Sequence, residues 1–417
     1  MSREKNNISM VTLYKKHYLC TIFLNQTIMK KAFTLFFLAI MALSLNAQTT
    51  KTMTWDGVER QYIEYVPTSY SASQPAAVMF LLHGMGDTMN NMFQATQIQN
   101  VAEEQGWIVL CPQALDFTYE IPGLGSQDFG ACWNVGSTIA VDFSSMGWPL
   151  TFDVTVNEDA DDEGFLMAML EATKAEYNVD QDKVYFVGFS LGGFMSHRMA
   201  IQHGDVINSI AAVSGVIGND LTTLTPAANV NVLQIFGTSD EMISYDGGMI
   251  SLQQLGLYNL GLPVEETVEY WRSFNQCDAT PIVEQYPDTY NDGMTFEMYQ
   301  YLNGSNDSRV AFIKVYNGTH NWYSGNNHDI DYNTEIVNFF NNTIDVNDVA
   351  EVTDNTLAVY PNPANDVINV GEKVVYIYDL CGKLVMQGSG SLDVTSLSEG
   401  MYFVKSGNDC SKLIINR

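Results

Sequence analysis

Basic residues are scarce in this 417-residue chain, with Lys and Arg totalling 19 against 48 Asp and Glu. Six of the basic groups (Arg3, Lys5, Lys15, Lys16, Lys30 and Lys31) stand in the first 47 residues beside one acid, Glu4; the remainder therefore holds 13 basic and 47 acidic groups, a net of −34. A surface so acidic lacks the clustered cations that release counterions from a phosphate backbone, so nucleic acid and anionic lipid headgroups are excluded as partners. Long apolar runs are missing too. The longest, Ala32 to Leu45, is shorter than the roughly 20 residues a helix needs to cross a bilayer core, so no stable membrane span is expected. There is no CxxC, no HExxH and no calcium-loop spacing, and neither a metal nor another cofactor is expected. With 46% apolar and 12% aromatic residues the chain can nevertheless bury a large core and a second small one.

The run at Ala32 to Leu45 has another meaning. Lys30-Lys31 precedes it and Leu45-Asn46-Ala47 follows, the order of a charged n-region, an apolar h-region and a small-residue cleavage site. Residues 1–47 are therefore expected to be an amino-terminal extension and signal peptide, with Met29 as the expected start and cleavage after Ala47. Export permits disulfides, but cysteine is sparse. Cys111 ends the buried-strand pattern Trp107 to Cys111, which leaves Cys132 and Cys277 as the favoured pair, and Cys381 and Cys410 could pair separately.

From Lys51 onward strands alternate with helices. Lys51–Trp55 and Arg60–Val66, joined through Asp56-Gly57, predict an antiparallel hairpin. Continuous apolar runs predict strands buried on both faces at Ala77–Leu82, Trp107–Cys111, Val184–Phe189, Ile210–Val216, Val232–Phe236 and Val310–Val315. Helical patterns occupy Met92–Glu104, Asp162–Tyr177, Phe194–His203 and Tyr332–Phe340. The alternation predicts an α/β fold with a mainly parallel sheet and a site at the carboxyl ends of its strands.

The chemistry lies at such ends. Val184 to Gly193 runs from a strand through Gly188-Phe189-Ser190-Leu191-Gly192 into a helix, the context a nucleophile elbow requires. Ser190 is the expected nucleophile. Leu82-His83-Gly84-Met85-Gly86 follows an earlier strand, and a turn of this type supplies the second oxyanion donor; the amides of Leu191 and Met85 are the expected pair, with His83 ordering the turn. His197 and His203 lie on the elbow helix and are expected to pack rather than react. The base is expected at His320, in the loop after the strand ending at Tyr316, with His328 and His83 as rivals. Asp240, just past the strand Val232–Phe236, is the expected orienting acid, with Asp246 as the alternative. The chain order Ser190, Asp240, His320 is the α/β-hydrolase order.

Residues 75–345 resemble the secreted polyhydroxybutyrate depolymerase and feruloyl esterase group of α/β-hydrolases. The likeness rests on Leu82-His83-Gly84, Cys132-Trp133-Asn134, Asp161 to Leu166, Tyr185 to Gly193, Gly237 to Asp240 with Tyr245 to Gly248, and Gly318 to Trp322. It implies that Ser190, Asp240 and His320 form a triad releasing carboxylic acids, with Trp133 and Trp322 at the substrate; Asn321-Trp322 departs from the more usual Thr-Trp-Pro. The acidic run Glu158–Glu163 reads as dipole-complementing charge at a helix start. Asp116–Val156, aromatic but without core periodicity, reads as a long loop that could form a lid over the site, its aromatics suited to a phenolic acyl group, a sugar ring or a polyester chain.

After a linker at 346–356, residues 357–417 predict a small all-β sandwich with strands at Val367–Val370, Val374–Leu380, Lys383–Gln387, Leu397–Val404 and Lys412–Ile415. Tyr360-Pro361-Asn362-Pro363-Ala364, Tyr378-Asp379-Leu380-Cys381-Gly382-Lys383 and Lys412 to Arg417 resemble the carboxy-terminal sorting domain of the type IX secretion system. The resemblance implies that machinery as a partner and an extracellular or cell-surface destination. The expectation is thus a hydrolase domain at 48–345 acting on feruloyl or acetyl esters of plant polysaccharide. A poly(3-hydroxyalkanoate) depolymerase is the alternative, and a serine peptidase or a non-catalytic surface binding protein stands behind it.

Overall fold

The computed structural model of the chain describes residues 47–417 apart from 122–124, 143–150, 248, 253–255, 326, 343–356, 358, 372–373, 380–382 and 407–408. The signal-peptide run, the expected start Met29, the linker at 346–356, Phe143, Trp148, Gly248 and Cys381 lie outside the described residues. The chain divides into two compact units, Met1–Thr343 and Ile344–Arg417, and each is described by itself.

The larger unit opens with β1 (Gln48–Trp55) and β2 (Val58–Tyr65), an antiparallel hairpin whose turn residues Asp56 and Gly57 both take positive φ, 47° and 77°. That left-handed pair matches the strand twist, which is why Asp-Gly sits there. Next come β3 (Ala76–Leu82), α1 (Met89–Thr96), α2 (Ile98–Gln105) and β4 (Ile108–Pro112). One helix was expected across Met92–Glu104. Instead Gln97 turns left-handed at φ 51° and Thr96 Oγ1 donates to Met92 O (2.8 Å), so the chain breaks and restarts.

Asp116–Val156 is not a plain loop. It holds β5 (Asp116–Ile121) paired with β6 (Gly125–Ala131), and β7 (Thr138–Asp142) paired with β8 (Thr151–Thr155). The rings of Phe129, Phe117, Tyr119 and Phe152 form a half-buried series with centroid spacings of 5.4, 6.4 and 5.9 Å. These rings pack on the main core and replace the periodic apolar face that the segment lacks.

The unit continues with α3 (Asp162–Glu176), β9 (Val179–Phe189), α4 (Leu191–His203), β10 (Ser209–Val213), β11 (Asn231–Gly237), the small hairpin β12 (Met249–Leu252) with β13 (Gly256–Asn259), α5 (Val264–Asn275), β14 (Ile282–Gln285), β15 (Thr295–Tyr301), β16 (Val310–Tyr316) and α6 (Tyr332–Phe340). Ten strands form one sheet in the order β1-β2-β4-β3-β9-β10-β11-β16-β15-β14. The six central strands from β4 to β16 are parallel, and the hairpins at both edges are antiparallel. Every residue of β3 and β10 is buried, as a strand covered on both faces must be. Phe80 stacks on Phe186 at 4.3 Å on one face of the sheet, while the preceding residue, Tyr185, stacks on Phe340 of α6 at 4.5 Å on the other. This is an α/β-hydrolase arrangement, with the carboxyl ends of β3, β9, β11 and β16 on one edge.

The smaller unit has β17 (Val367–Asn369), β18 (Val375–Tyr378), β19 (Leu384–Gly388), β20 (Ser391–Asp393), β21 (Gly400–Ser406) and β22 (Asp409–Ile415). They form a β17-β20 pair and a four-stranded antiparallel sheet, β19-β18-β21-β22. Ile368, Val375, Ile377, Val394, Val404, Leu413 and Ile415 make its core. Alternation along β18 and β21 (Val375 and Ile377 in, Tyr376 out; Tyr402 and Val404 in, Met401 and Phe403 out) fixes which face is inside. Expected strand Leu397–Val404 begins only at Gly400, because Leu397 closes a turn onto Val394 O.

Candidate active site

β9 ends at Phe189 and α4 begins at Leu191, so Ser190 alone makes the turn, at φ 55° and ψ −123°. A side-chain-bearing residue adopts that conformation only when its surroundings enforce it. Here Ser190 N donates to Val213 O (2.9 Å), and Ser190 O accepts from Gly193 N and Phe194 N. Two close approaches exclude any other residue from the flanking positions. A Cβ at Gly188 would lie 2.0 Å from Gly192 O, and one at Gly192 would lie 2.1 Å from Leu82 O. Helix, elbow and the strand carrying the His-Gly turn are therefore in backbone contact.

That turn lies against Ser190. A Cβ on Gly84 would stand 3.1 Å from Ser190 Cβ and 3.6 Å from Ser190 Oγ. Among the described residues neither Met85 N–H nor Leu191 N–H donates to a protein acceptor, so both are available to a ligand. His83 does not reach outward. It is fully buried; its Nε2 accepts from Ala114 N (3.0 Å), so Nδ1 holds the proton and donates to Gly84 O (2.7 Å). Burial pushes its pKa down, and the neutral ring staples the turn to the end of β4.

Trp133 requires a correction. It was expected at the substrate, yet it has no exposed surface, and its Nε1 donates to His83 O at 2.9 Å. An indole so enclosed buttresses the turn from below and cannot touch a ligand. Trp322 is only partly buried, with its ring 6.5 Å from Phe189, the residue before Ser190.

β11 and β16 deliver the other two groups. Their loops are fastened to each other: Thr238 N donates to Val315 O, Ser239 N to Gly318 O, and Asn317 N to Thr238 Oγ1, all at 2.9 Å. His320 Nδ1 bonds Asp240 Oδ2 at 2.8 Å, and Asp240 Oδ1 accepts from Met242 N and Ile243 N. The Asp240 carboxylate is sealed from solvent, whereas Asp246 is exposed. The His320 ring lies 4.8 Å from the Phe189 ring, beside the elbow. Ser190 Oγ itself makes no hydrogen bond to His320 or to another described side chain. His328 packs on Tyr323 at 4.7 Å. Glu241 was not anticipated: its Oε2 accepts from His320 N at 3.3 Å, a contact no spacing rule would have revealed.

His203 bonds Glu163 at 2.7 Å, while His197 is wholly enclosed between Gln234 Oε1 and Trp271 Nε1, each 3.0 Å away. The acids at the start of α3 do more than complement a dipole. Asp161 caps Gly164 N and accepts from Trp55 Nε1; Asp162 is buried, paired with Arg60 at 2.6 Å and accepting Asn134 N at 2.7 Å; Glu163 pairs with Arg198 and His203. The favoured Cys132–Cys277 bridge does not form, and Cys111, Cys132 and Cys277 are free buried thiols. Cys132 follows the carboxyl end of β4, whereas Cys277 contacts Ser308 O just before the amino end of β16, so the length of the parallel sheet separates them. Among the described residues no group of three His, Cys, Asp or Glu side chains could hold a metal ion, and no helix is long and apolar enough to cross a membrane.

Residues 77–248 match the α/β hydrolase fold family. The larger unit has the α/β hydrolase fold. Residues 358–416 match the secretion system C-terminal sorting domain. Among curated proteins the chain is similar to feruloyl esterase B of Neurospora crassa, 29% identical over 152 residues, 36% of this chain and 42% of that one. It is also similar to a probable feruloyl esterase C of Aspergillus niger, 28% identical over 196 residues, 46% of this chain and 58% of that one. The chain spans about half the length of the curated relatives it matches. Among solved structures, the acetyl xylan esterase from Aspergillus awamori aligns at a TM-score of 0.44 and 14% identity, over 70% of this chain and 98% of that one.

Proposed function

We propose that the protein is an exported serine carboxylic ester hydrolase acting on feruloyl or acetyl esters of plant polysaccharide. The observation that carries this reading is the His320–Asp240 bond of 2.8 Å beside a serine held at φ 55°. In the proposed reaction Ser190 Oγ attacks the ester carbonyl carbon while His320 Nε2 takes its proton. Asp240 holds Nδ1–H, fixes the tautomer and offsets the imidazolium charge. The oxyanion accepts from Leu191 N–H and Met85 N–H, two donors fixed before substrate arrives, so little reorganisation opposes the step. His320 then protonates the leaving alcohol, and the acyl-enzyme is hydrolysed when His320 draws a proton from water. The released carboxylate departs from a protein whose net charge from residue 48 onward is −34, which favours its escape.

Similarity to feruloyl esterases supports the acyl choice. The match of residues 358–416, together with the amino-terminal signal pattern, supports passage across the inner membrane and then type IX export to the cell surface or medium. The test is turnover of methyl ferulate, p-nitrophenyl acetate and p-nitrophenyl butyrate by wild type and Ser190→Ala. The reading expects all turnover to disappear in the variant and ferulate or acetate to be preferred. Undiminished turnover in Ser190→Ala, or none by a folded wild-type protein, would reject it.

A further inference from the structure

The four-ring series on the inserted hairpins is not accounted for by the chemistry at Ser190. It begins at the oxyanion turn: Gly86 N donates to Ala131 O at 2.8 Å, and a Cβ on Gly130 would lie 3.0 Å from Gly86 Cα. Phe129, one residue before Gly130, is thus the rung nearest Met85. Phe117 stacks on it, Tyr119 follows along β5, and Phe152 of β8 stacks on Tyr119, so the series leads away from the turn and crosses from one hairpin to the other. All four rings are half-buried. Between rungs the surface is polar and uncharged or acidic. Gln127 pairs across from Tyr119, and segment 116–156 contains Asp116, Glu120, Asp128, Asp142 and Asp153 with no Lys or Arg.

We propose that this series is a subsite for the uncharged sugar main chain that carries the scissile ester. The proposal rests on the polysaccharide-ester reading above. Pyranose rings offer C–H faces to aromatic rings and hydroxyls to neighbouring amide and hydroxyl groups, and the surface presents both: rings at 5.4 to 6.4 Å intervals, with the Tyr119 hydroxyl and the Gln127 amide among them. A polyanionic chain is disfavoured because segment 116–156 holds five acids and no Lys or Arg. The acyl group occupies the space beside Ser190, Phe189 and Trp322, and the alcohol part extends over Phe129, Phe117, Tyr119 and Phe152.

The test uses Tyr119→Ala and Phe152→Ala, the two rungs farthest from the oxyanion turn, with Tyr119→Phe to separate ring from hydroxyl. Substrates are feruloylated arabinoxylan and methyl ferulate, which share an acyl group and differ in the alcohol. The proposal expects KM for the polymer to rise about three- to tenfold in each alanine variant, the range that one aromatic contact supplies, with kcat and all methyl ferulate kinetics unchanged. Equal losses on both substrates would make the series a support for the turn, and no change on either would make it a packing device; each overturns the proposal. If the wild type hydrolyses neither ester, retardation of the full chain in gels containing unesterified arabinoxylan still reads the subsite. Retardation lost in both alanine variants supports it, and retardation absent or unchanged overturns it independently of the esterase reading.

Discussion

Acid should weaken this fold through one buried imidazole that ties the helix following Ser190 to the strand leading to Asp240. His197 lies on α4, the helix that begins at Ser190; its partners are Gln234 on β11, the strand that leads to Asp240, and Trp271 on α5. Trp271 Nε1–H can only donate, so His197 Nδ1 must accept and Nε2–H donates to Gln234 Oε1. A proton added to Nδ1 would face another donor in a site with no solvent. Burial accordingly pulls the pKa from the ordinary 6.5 down to about 4. The unfolded chain then binds the extra proton between those values, so stability is complete above pH 6.5 and falls as pH drops toward 4. Linkage puts the loss at about 2.5 kcal/mol near pH 4.5. The experiment is denaturant unfolding of wild type and His197→Gln near pH 7.5 and pH 4.5. All six Trp residues precede residue 343, so tryptophan fluorescence follows the larger unit alone. His83 and the carboxylates titrate in both proteins and cancel in the difference. The stability gap between the two should shrink by about 2.5 kcal/mol at the lower pH. Parallel pH curves would refute the argument.

Gly84→Ala should lower kcat by about ten- to a hundredfold with little change in unfolding midpoint, because the added methyl, 3.1 Å from Ser190 Cβ, moves the donor turn by tenths of an ångström against a transition state that tolerates little misplacement; steady-state kinetics and thermal melts check both halves. Asp162→Ala should cost about 3 to 5 kcal/mol in denaturant titrations, since it leaves the Arg60 guanidinium, 2% exposed, without its counter-charge. Asp240→Asn should reduce kcat by about four orders of magnitude at nearly unchanged stability, because an amide facing Nδ1 favours the wrong His320 tautomer, as steady-state kinetics and melts would show.

The central sheet was legible because strands buried on both faces are written as unbroken apolar runs, and β3, β4, β9, β10, β11 and β16 fall within a few residues of theirs. The carboxyl-end rule puts Ser190, Asp240 and His320 on one edge from the sequence alone. Less was legible where side chains answer to tertiary partners. Trp133 reads as a ligand-contacting aromatic, and only the fold reveals that its indole serves the His83 carbonyl. The acidic start of α3 looks like dipole chemistry until Arg60, 102 residues away, appears against Asp162. β5 to β8 escape a period-based reading because their rings pack on one another across hairpins. The α5 residues Val264, Thr267, Val268 and Trp271 carry a helical period in the sequence. Cysteine pairing is not legible by elimination among three thiols, which ignores the end of the parallel sheet that each one occupies.

The measurement that bears most directly on the account is covalent labelling with a p-nitrophenyl alkylphosphonate followed by peptide mass spectrometry. The account predicts one phosphonyl group per chain, on Ser190, with ester turnover lost in proportion and no label in Ser190→Ala. Label on another residue, or full turnover by a completely labelled protein, would contradict it.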